Sequence, residues 1–257
     1  MKAMILAAGL GTRLHPLTND RPKALVEIAG RTLLEITLGR LRAFGISEVI
    51  VNVHHFADRV VEYLRAHDNF GMRIEISREH DLLDTGGGLM RASEFFLRDV
   101  RLREKSMRDE PFVLHNVDVL SAIDLGAMVK FHCEHDALAT LAVQHRESAR
   151  YLLFDGEGRL CGRRGAGDEA AEMARKSGQT EALAFTGIHV ISPRIFSLMS
   201  EEREAQTFPI IPAYLRLAGA GEKIVGYRAD DDYWRDVGTV ESLEQAAEDV
   251  TRKVMEL

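Results

Sequence analysis

A three-layer α/β sandwich around a mostly parallel sheet, with a smaller β-rich part, is the fold this sequence predicts. Three observations point to it. Strand-like and helix-like stretches alternate through the first half of the chain. Several of the strand-like stretches are continuous apolar runs, the mark of strands buried on both faces. The glycine-rich turns and the residues able to do chemistry follow such runs, where parallel sheets bind their ligands. Together these give a central sheet of Rossmann-like type.

The elements follow in order. Lys2–Ala7 is a short apolar run that ends at Gly9, hence a strand. Thr32–Phe44 is a helix, with capping-box spacing between Thr32 and Glu35 and a natural stop at Gly45. Glu48–Val53 is a strand, and Asp58–His67 a helix with Val60, Val61 and Leu64 on one face. Met72–Ser77 alternates like a strand, and Leu89–Leu97 is a helix after three glycines. Pro111–Asn116 is a strand and Asp124–His135 a helix. Then the rhythm changes. Ala137–Gln144 reads as a strand and Tyr151–Leu160 as a hairpin turning at Asp155-Gly-Glu-Gly158. Gly165–Glu181 is small, polar and poor in apolar residues, so a mobile loop is expected. Phe185–Ile191 and Ile224–Arg228 are strands. Thr239–Met255 is a closing helix with Val240, Leu243, Ala247, Val250 and Val254 in one stripe. One domain over residues 1–257 is expected. No internal repeat is visible, and no hexapeptide array follows residue 240.

Composition excludes several classes of function. Of 257 residues, 46% are apolar and 28% charged, too apolar for a disordered chain. The net charge of −7 disfavours non-specific nucleic-acid binding, which needs a basic face. Cys133 and Cys161 are too few for a disulfide framework and suggest a reducing, cytoplasmic setting. No apolar run approaches the roughly 20 residues of a membrane helix. The N-terminal run gives way at once to glycines and polar residues, so it reads as a buried strand instead of a signal peptide.

Four motifs carry chemistry. Leu6-Ala7-Ala8-Gly9-Leu10-Gly11-Thr12-Arg13 is followed by Pro16-Leu-Thr18 and Pro22-Lys23. Glycines let backbone N–H groups approach an anion, and Arg13 and Lys23 add two cations, so the segment reads as a polyphosphate cradle. A plain strand-to-loop turn would also show the glycine pair. Leu14 stands where a dinucleotide fingerprint needs its third glycine, and no Walker-type loop is present. Leu83-Asp84-Thr85-Gly86-Gly87-Gly88 opens a helix. Three glycines imply that something comes very close: a flat base, or an anion at the helix N-terminus. A flexible turn is the alternative. Leu114-His-Asn116-Val-Asp118 ends a buried strand in a carboxylate suited to Mg²⁺ with substrate phosphates, or to a turn. Asp236 in Trp234-Arg-Asp236-Val-Gly-Thr239 is a second candidate ligand, or serves the helix whose cap is Thr239. His54-His55 and His132-Cys-Glu-His135 offer too few ligands for a closed zinc site. The acidic run 229–232 reads as a solvated approach to Asp236.

With these motifs on the page, the chain resembles the sugar-phosphate nucleotidyltransferases, in particular short single-domain bacterial members. Lys2–Gly30 matches their opening L-A-A-G-x-G-T-R-L-x-P-L-T…P-K. D-T-G-G-G, N-x-D, F-T-G at 185–187 and W-x-D-V-G-T follow in the family's order, spanning residues 2 to about 245. The resemblance implies the nucleotide-diphospho-sugar transferase type of fold, with 1–136 as nucleotide-binding part and 137–257 as sugar-phosphate-binding part. It implies that an NTP and a sugar 1-phosphate give an NDP-sugar and pyrophosphate with Mg²⁺, without nucleic-acid or membrane partners. Ala7, Ala8, Gly9, Gly11, Thr12 and Asn116 would bind the nucleotide, with Arg13 on the leaving pyrophosphate and Lys23 at the reacting centre. Asp84, Thr85, Gly86 and Gly87 would line the base pocket. Asp118 and Asp236 would hold Mg²⁺, and Thr186 and Gly187 would face the sugar.

Two features depart from the family pattern. The common N-G-D is Asn116-Val117-Asp118, and the usual E-K-P segment is replaced by Cys161-Gly-Arg-Arg164 and the polar stretch after it. Two rival readings follow the same N-terminal loop: cytidylyl transfer to phosphocholine or a similar small phosphate, and a nucleotide-binding regulatory domain without turnover. A binder has no need of Arg13, Lys23, Asp118 and Asp236 together, which argues for turnover.

Overall fold

Strands β1 (Lys2–Leu6), β2 (Glu27–Ile28) and β3 (Arg31–Thr32) precede α1 (Leu33–Ala43), β4 (Glu48–Val53), α2 (Ala57–Ala66) and β5 (Arg73–Arg78). Next come α3 (Asp84–Arg91), α4 (Ser93–Leu97), β6 (Phe112–Asn116), β7 (Val119–Ser121), α5 (Leu125–Glu134) and β8 (Ala139–Gln144). Then follow β9 (Arg150–Phe154), β10 (Leu160–Gly165), β11 (Glu172–Met173), β12 (Glu181–Ile191), α6 (Ile195–Leu198) and α7 (Ile210–Gly219). β13 (Ile224–Arg228), β14 (Trp234–Asp236) and α8 (Val240–Thr251) end the order. The structure, a computed structural model, describes residues 1–98, 110–167, 170–199 and 206–255.

The chain folds as two units that interleave in sequence instead of meeting near residue 136. The first holds Met1–Leu83, Leu114–Ile123 and Asp232–Leu257; the second holds Asp84–Val113 and Asp124–Asp231. In the first, β1 pairs parallel with β4 (Leu6 opposite Asn52) and β4 parallel with β5 (Asn52 opposite Ser77). Met4, Ile5 and Val51 are buried in these strands, and so are Leu33, Leu34, Leu38 and Leu41 of α1. Each such side chain contributes roughly 1.5–3 kcal/mol on leaving water. Thr32 caps α1 as expected, its hydroxyl accepting the Glu35 N–H at 3.1 Å. Thr239 caps α8 in the same way, accepting from Ser242 at 3.2 Å. Asp249 then ties α8 to β14 by accepting from Tyr233 Oη at 2.7 Å and from Arg235 Nη2 at 2.8 Å.

The second unit is the β-rich part. β12 lies antiparallel to both β8 and β9, and β13 runs parallel to β8. β9 and β10 form the expected hairpin, with Asp155 Oδ1 accepting the N–H groups of Glu157 and Arg159 across the turn. Phe96, Phe112 and Phe196 stack in its core, with Phe96 and Phe112 centroids 3.9 Å apart.

Three expectations are corrected. The glycines of 86–88 lie inside α3, which starts at Asp84 instead of Leu89 and stops before α4. Tertiary hydrogen bonds from Phe208 and Ile210 set that first turn and override glycine's poor helix propensity. The stretch 165–181 is not all loop. Glu172–Met173 pairs with β10, because Gly162 has no Cβ to hold β11 away; residues 168–169 lie outside the described ones. Finally α7 has no counterpart in the reading of the sequence: Pro209 and Pro212 masked it, though both sit where a helix start lacks N–H partners anyway.

Candidate active site

The first unit gathers the charged residues. Beyond β1 the chain turns at Gly9, where an added Cβ would meet nothing within 4 Å. Gly11 adopts φ +67°, and a Cβ there would lie 3.0 Å from Thr18 Cγ2 and 3.1 Å from Lys23 Cβ. Glycine is needed at 11 for both reasons. The Thr18 hydroxyl donates to the Gly11 carbonyl at 2.9 Å, closing the loop. Among the described residues, the N–H groups of Gly9, Leu10 and Gly11 take no acceptor. A 3₁₀ turn over Thr12–Leu14 buries Leu14 completely and leaves Thr12 and Arg13 exposed. Ala7 and Ala8 are buried below the loop.

Pro22 leads into a second 3₁₀ turn, Lys23–Leu25. A lysine just after a proline in a loop would ordinarily bury little of its stem. The side chain is instead 9% exposed, packed where Gly11 leaves room, and its ammonium pairs with the Asp118 carboxylate. Asp118 lies in the turn between β6 and β7 with Asn116 half-buried at the strand end. Val117, in place of the common glycine, is accommodated: its side chain is buried and its N–H donates to the Leu6 carbonyl at 3.1 Å.

β14 pairs antiparallel with β7, Asp236 opposite Val119, and the Val237 N–H donates to the Asp118 carbonyl at 2.9 Å. Asp118 and Asp236, distant in sequence, are therefore neighbours, Asp236 in β14 and Asp118 in the turn that leads into β7. Asp236 Oδ1 accepts the Gly238 N–H at 2.7 Å. A Cβ on Gly238 would sit 2.6 Å from Asp236 Oδ1 and 2.7 Å from Arg13 Nη2. Gly238 thus lets Arg13 and Asp236 approach each other. The sequence reading did not select it, although a glycine between two charged motifs was the available signal.

The expected residues of the second unit have other commitments. Gly86 and Gly87 N–H groups donate to the Phe208 carbonyl at 2.9 and 3.2 Å. A Cβ on Gly86 would drive into the Phe208 ring. Thr85 Oγ1 accepts the Ile210 N–H at 2.9 Å. The close approach that the glycines announced is made by the chain's own Phe208, and these donors are not free for an anion. Asp84 is exposed at φ +59°, its carboxylate accepting the Thr85 N–H. Thr186 is 1% exposed and its hydroxyl donates to the Ala142 carbonyl at 2.8 Å, so it presents no hydroxyl at a surface. Gly187, at φ +83°, lies where β12 shifts register against β8.

His132 and His115 are buried in the interior. His132 is buried with Nδ1 3.0 Å from Thr140 Oγ1; burial, and then the Arg194 charge, lower its pKa to about 4. His115 is lowered to about 4 as well, first by burial and then by Arg40. Asp230 accepts from the His145 N–H and Arg228, as a turn residue does. No group of three or more His, Cys, Asp or Glu side chains suited to a metal occurs among the described residues. The carboxylates of Asp118 and Asp236, brought together where β14 pairs with β7, still fit a hard cation that takes its other ligands from phosphate and water. No helix among the described residues is long and apolar enough to cross a membrane.

The nucleotidyl transferase family model matches residues 2–253, and the chain belongs to this family: it is a nucleotidyltransferase. The N-acetylmuramate alpha-1-phosphate uridylyltransferase of Caulobacter vibrioides is 34% identical over 244 residues, covering 92% of this chain and 91% of that protein. The protein of the same name from Neisseria meningitidis serogroup B is 28% identical, covering 96% of each. Among solved structures, a UDP-glucose pyrophosphorylase complexed with UDP-glucose superposes with a TM-score of 0.75 at 18% identity, over 98% of both chains. That likeness shows the fold.

Proposed function

We propose that this enzyme transfers the nucleotidyl group of an NTP to a sugar 1-phosphate, giving an NDP-sugar and pyrophosphate, with Mg²⁺. The observation that carries the reading is the charged cluster of the first unit: Asp236 in β14 and Asp118 in the turn before the paired strand β7, with Lys23 paired to Asp118 and Arg13 close to Asp236. In this reaction a sugar-phosphate oxygen attacks the α-phosphorus and the α–β bridging bond breaks, releasing pyrophosphate. The protein's task is alignment and the stabilisation of spreading negative charge. The open N–H groups of Gly9–Gly11 receive phosphate oxygens. Arg13, exposed at the loop end, takes the leaving pyrophosphate. Lys23 balances Asp118 in the absence of ligand and is the cation available to phosphate when ligand enters. Asp118 and Asp236 would hold Mg²⁺, which when bound polarises phosphoryl oxygens and neutralises their charge. The sugar is met by the backbone around Gly187 in place of the Thr186 hydroxyl.

Two relatives that this chain covers almost end to end bear the name N-acetylmuramate alpha-1-phosphate uridylyltransferase. UTP with N-acetylmuramate 1-phosphate is therefore the first pair to test. The experiment is a pyrophosphate-release screen crossing the common NTPs with sugar 1-phosphates and phosphocholine. Release with a sugar 1-phosphate, abolished by EDTA, is expected. Release with CTP and phosphocholine alone would reassign the acceptor, and nucleotide binding with no release from any pair would make the protein a binder.

A further inference from the structure

Asn52 and Glu79 belong to none of the motifs, yet they form a buried polar chain inside the first unit. Asn52, next to last in β4, lies opposite Leu6 and is 3% exposed; Glu79 follows β5 and is 5% exposed. Asn52 Oδ1 accepts the Ala7 N–H at 2.7 Å. Asn52 Nδ2 donates to Glu79 Oε1 at 2.7 Å, and Glu79 Oε2 accepts the Leu83 N–H at 3.1 Å. The Glu79 backbone is fixed too: its N–H donates to the Val53 carbonyl at 2.8 Å, and its carbonyl meets His54 Nδ1 at 2.9 Å.

A carboxylate this buried costs several kcal/mol in lost hydration unless its hydrogen bonds are well made. An apolar pair of similar volume would hold β1, β4 and β5 together at lower cost. It would not fix the direction of two particular backbone N–H groups. Those two groups are telling. Ala7, with buried Ala8, leads directly into the Gly9–Gly11 loop, and Leu83 is the last residue before Asp84 and the glycines of α3. We propose that Asn52 and Glu79 are positioning residues for the nucleotide. They orient the peptide planes at Ala7 and Leu83 and set their separation, and so present the phosphate-facing loop in its binding geometry. The role rests on the reading of Gly9–Arg13 as the NTP loop.

Hydrogen-bond polarity supplies the test. In Asn52→Asp alone, two buried carboxylates face each other. In Glu79→Gln alone, one amide has to accept from both Asn52 and Leu83, and it has a single oxygen to do so. In the double variant, the new carboxylate accepts from Ala7 and from the new amide, whose oxygen accepts from Leu83. Every bond returns, with the middle one reversed and the net charge unchanged. Three readouts are taken on wild type and all variants: NTP affinity by calorimetry, KM for the sugar phosphate, and exchange of the Ala7 amide by NMR.

Each single variant is expected to weaken NTP binding about tenfold or more and to speed Ala7 exchange, with the sugar-phosphate KM within about a factor of two. The double variant is expected to recover both NTP affinity and Ala7 protection to within about threefold. Single variants that bind NTP like wild type would overturn the proposal. So would a double variant as impaired as the singles, or losses that follow Tm alone across both substrates. A wild type that binds no NTP would defeat the functional reading itself. That failure is distinct, because Ala7 exchange reads the hydrogen bonds without any nucleotide.

Discussion

Gly9–Gly11 and Gly86–Gly88 both crowd glycines into three residues beside chemically loaded neighbours, yet a Cβ at Gly9 would meet open space and one at Gly86 would strike Phe208. The first segment keeps its N–H groups without acceptors among the described residues; the second donates those of Gly86 and Gly87 to the Phe208 carbonyl. In the first unit Gly11 admits Thr18 and Lys23 while the space at Gly9 stays open, and in the second the chain itself fills the space at Gly86. A glycine cluster in a sequence thus reports proximity, and only the fold says proximity to what.

The largest effects are expected in the charged cluster. Asp236→Asn should lower kcat/KM by about 10³-fold while the thermal midpoint stays near wild type, since its neighbour Arg13 is exposed. Asp118→Asn should cost as much activity and stability as well, because it strands the buried Lys23 ammonium. Steady-state kinetics with urea denaturation separates the two. Equal stability losses in both would mean that the pairs are energetically alike, contrary to their burial.

Lys23→Ala comes next. Losing one charge-assisted contact in the transition state should cost about 2–4 kcal/mol, tens- to several-hundred-fold in kcat/KM. Activity within a factor of two of wild type would remove Lys23 from the mechanism.

The glycines themselves sharpen the contrast. Gly86→Val should destabilise the fold by about 3 kcal/mol or more, because neither the Phe208 ring nor its carbonyl, 2.8 Å from the added Cβ, can give way cheaply. Gly9→Ala has room and lies outside the left-handed region, so its stability should stay within about 0.5 kcal/mol of wild type while nucleotide affinity falls several-fold. Denaturation curves and calorimetry on the pair would show whether the two segments are as different as their surroundings.

The smallest effect at neutral pH concerns the second unit alone. His132 has a folded pKa of about 4 against about 6.5 unfolded, so the unfolded chain takes up the proton first as pH falls. Its contribution is fully present above pH 6.5 and is lost as pH falls toward 4, on the order of 3 kcal/mol in total. Urea midpoints at pH 7.5 and 4.5 should show a smaller drop in His132→Gln than in wild type.

Much of the fold was legible because its signals are local. The caps at Thr32 and Thr239 are read from a hydroxyl and its spacing, and the hairpin at 155–158 from its turn residues. That Asp118 and Asp236 belong together came from the resemblance, because the strands that join them have three residues each, too short for periodicity to reveal. What escaped depends on distant partners. The burial of Lys23 needs the missing Cβ of Gly11, the start of α3 needs Phe208, and the brace of Asn52 and Glu79 needs three strand ends at once.

Amide exchange of the whole chain, with and without Mg²⁺ and the NTP that supports turnover, tests the central contrast most directly. The Gly9, Leu10 and Gly11 amides should gain protection on binding, while those of Gly86 and Gly87, already bonded to Phe208, should be protected in both states and unchanged. Protection appearing at Gly86 and Gly87 with none at Gly9–Gly11 would contradict the account and make the second glycine segment the phosphate site.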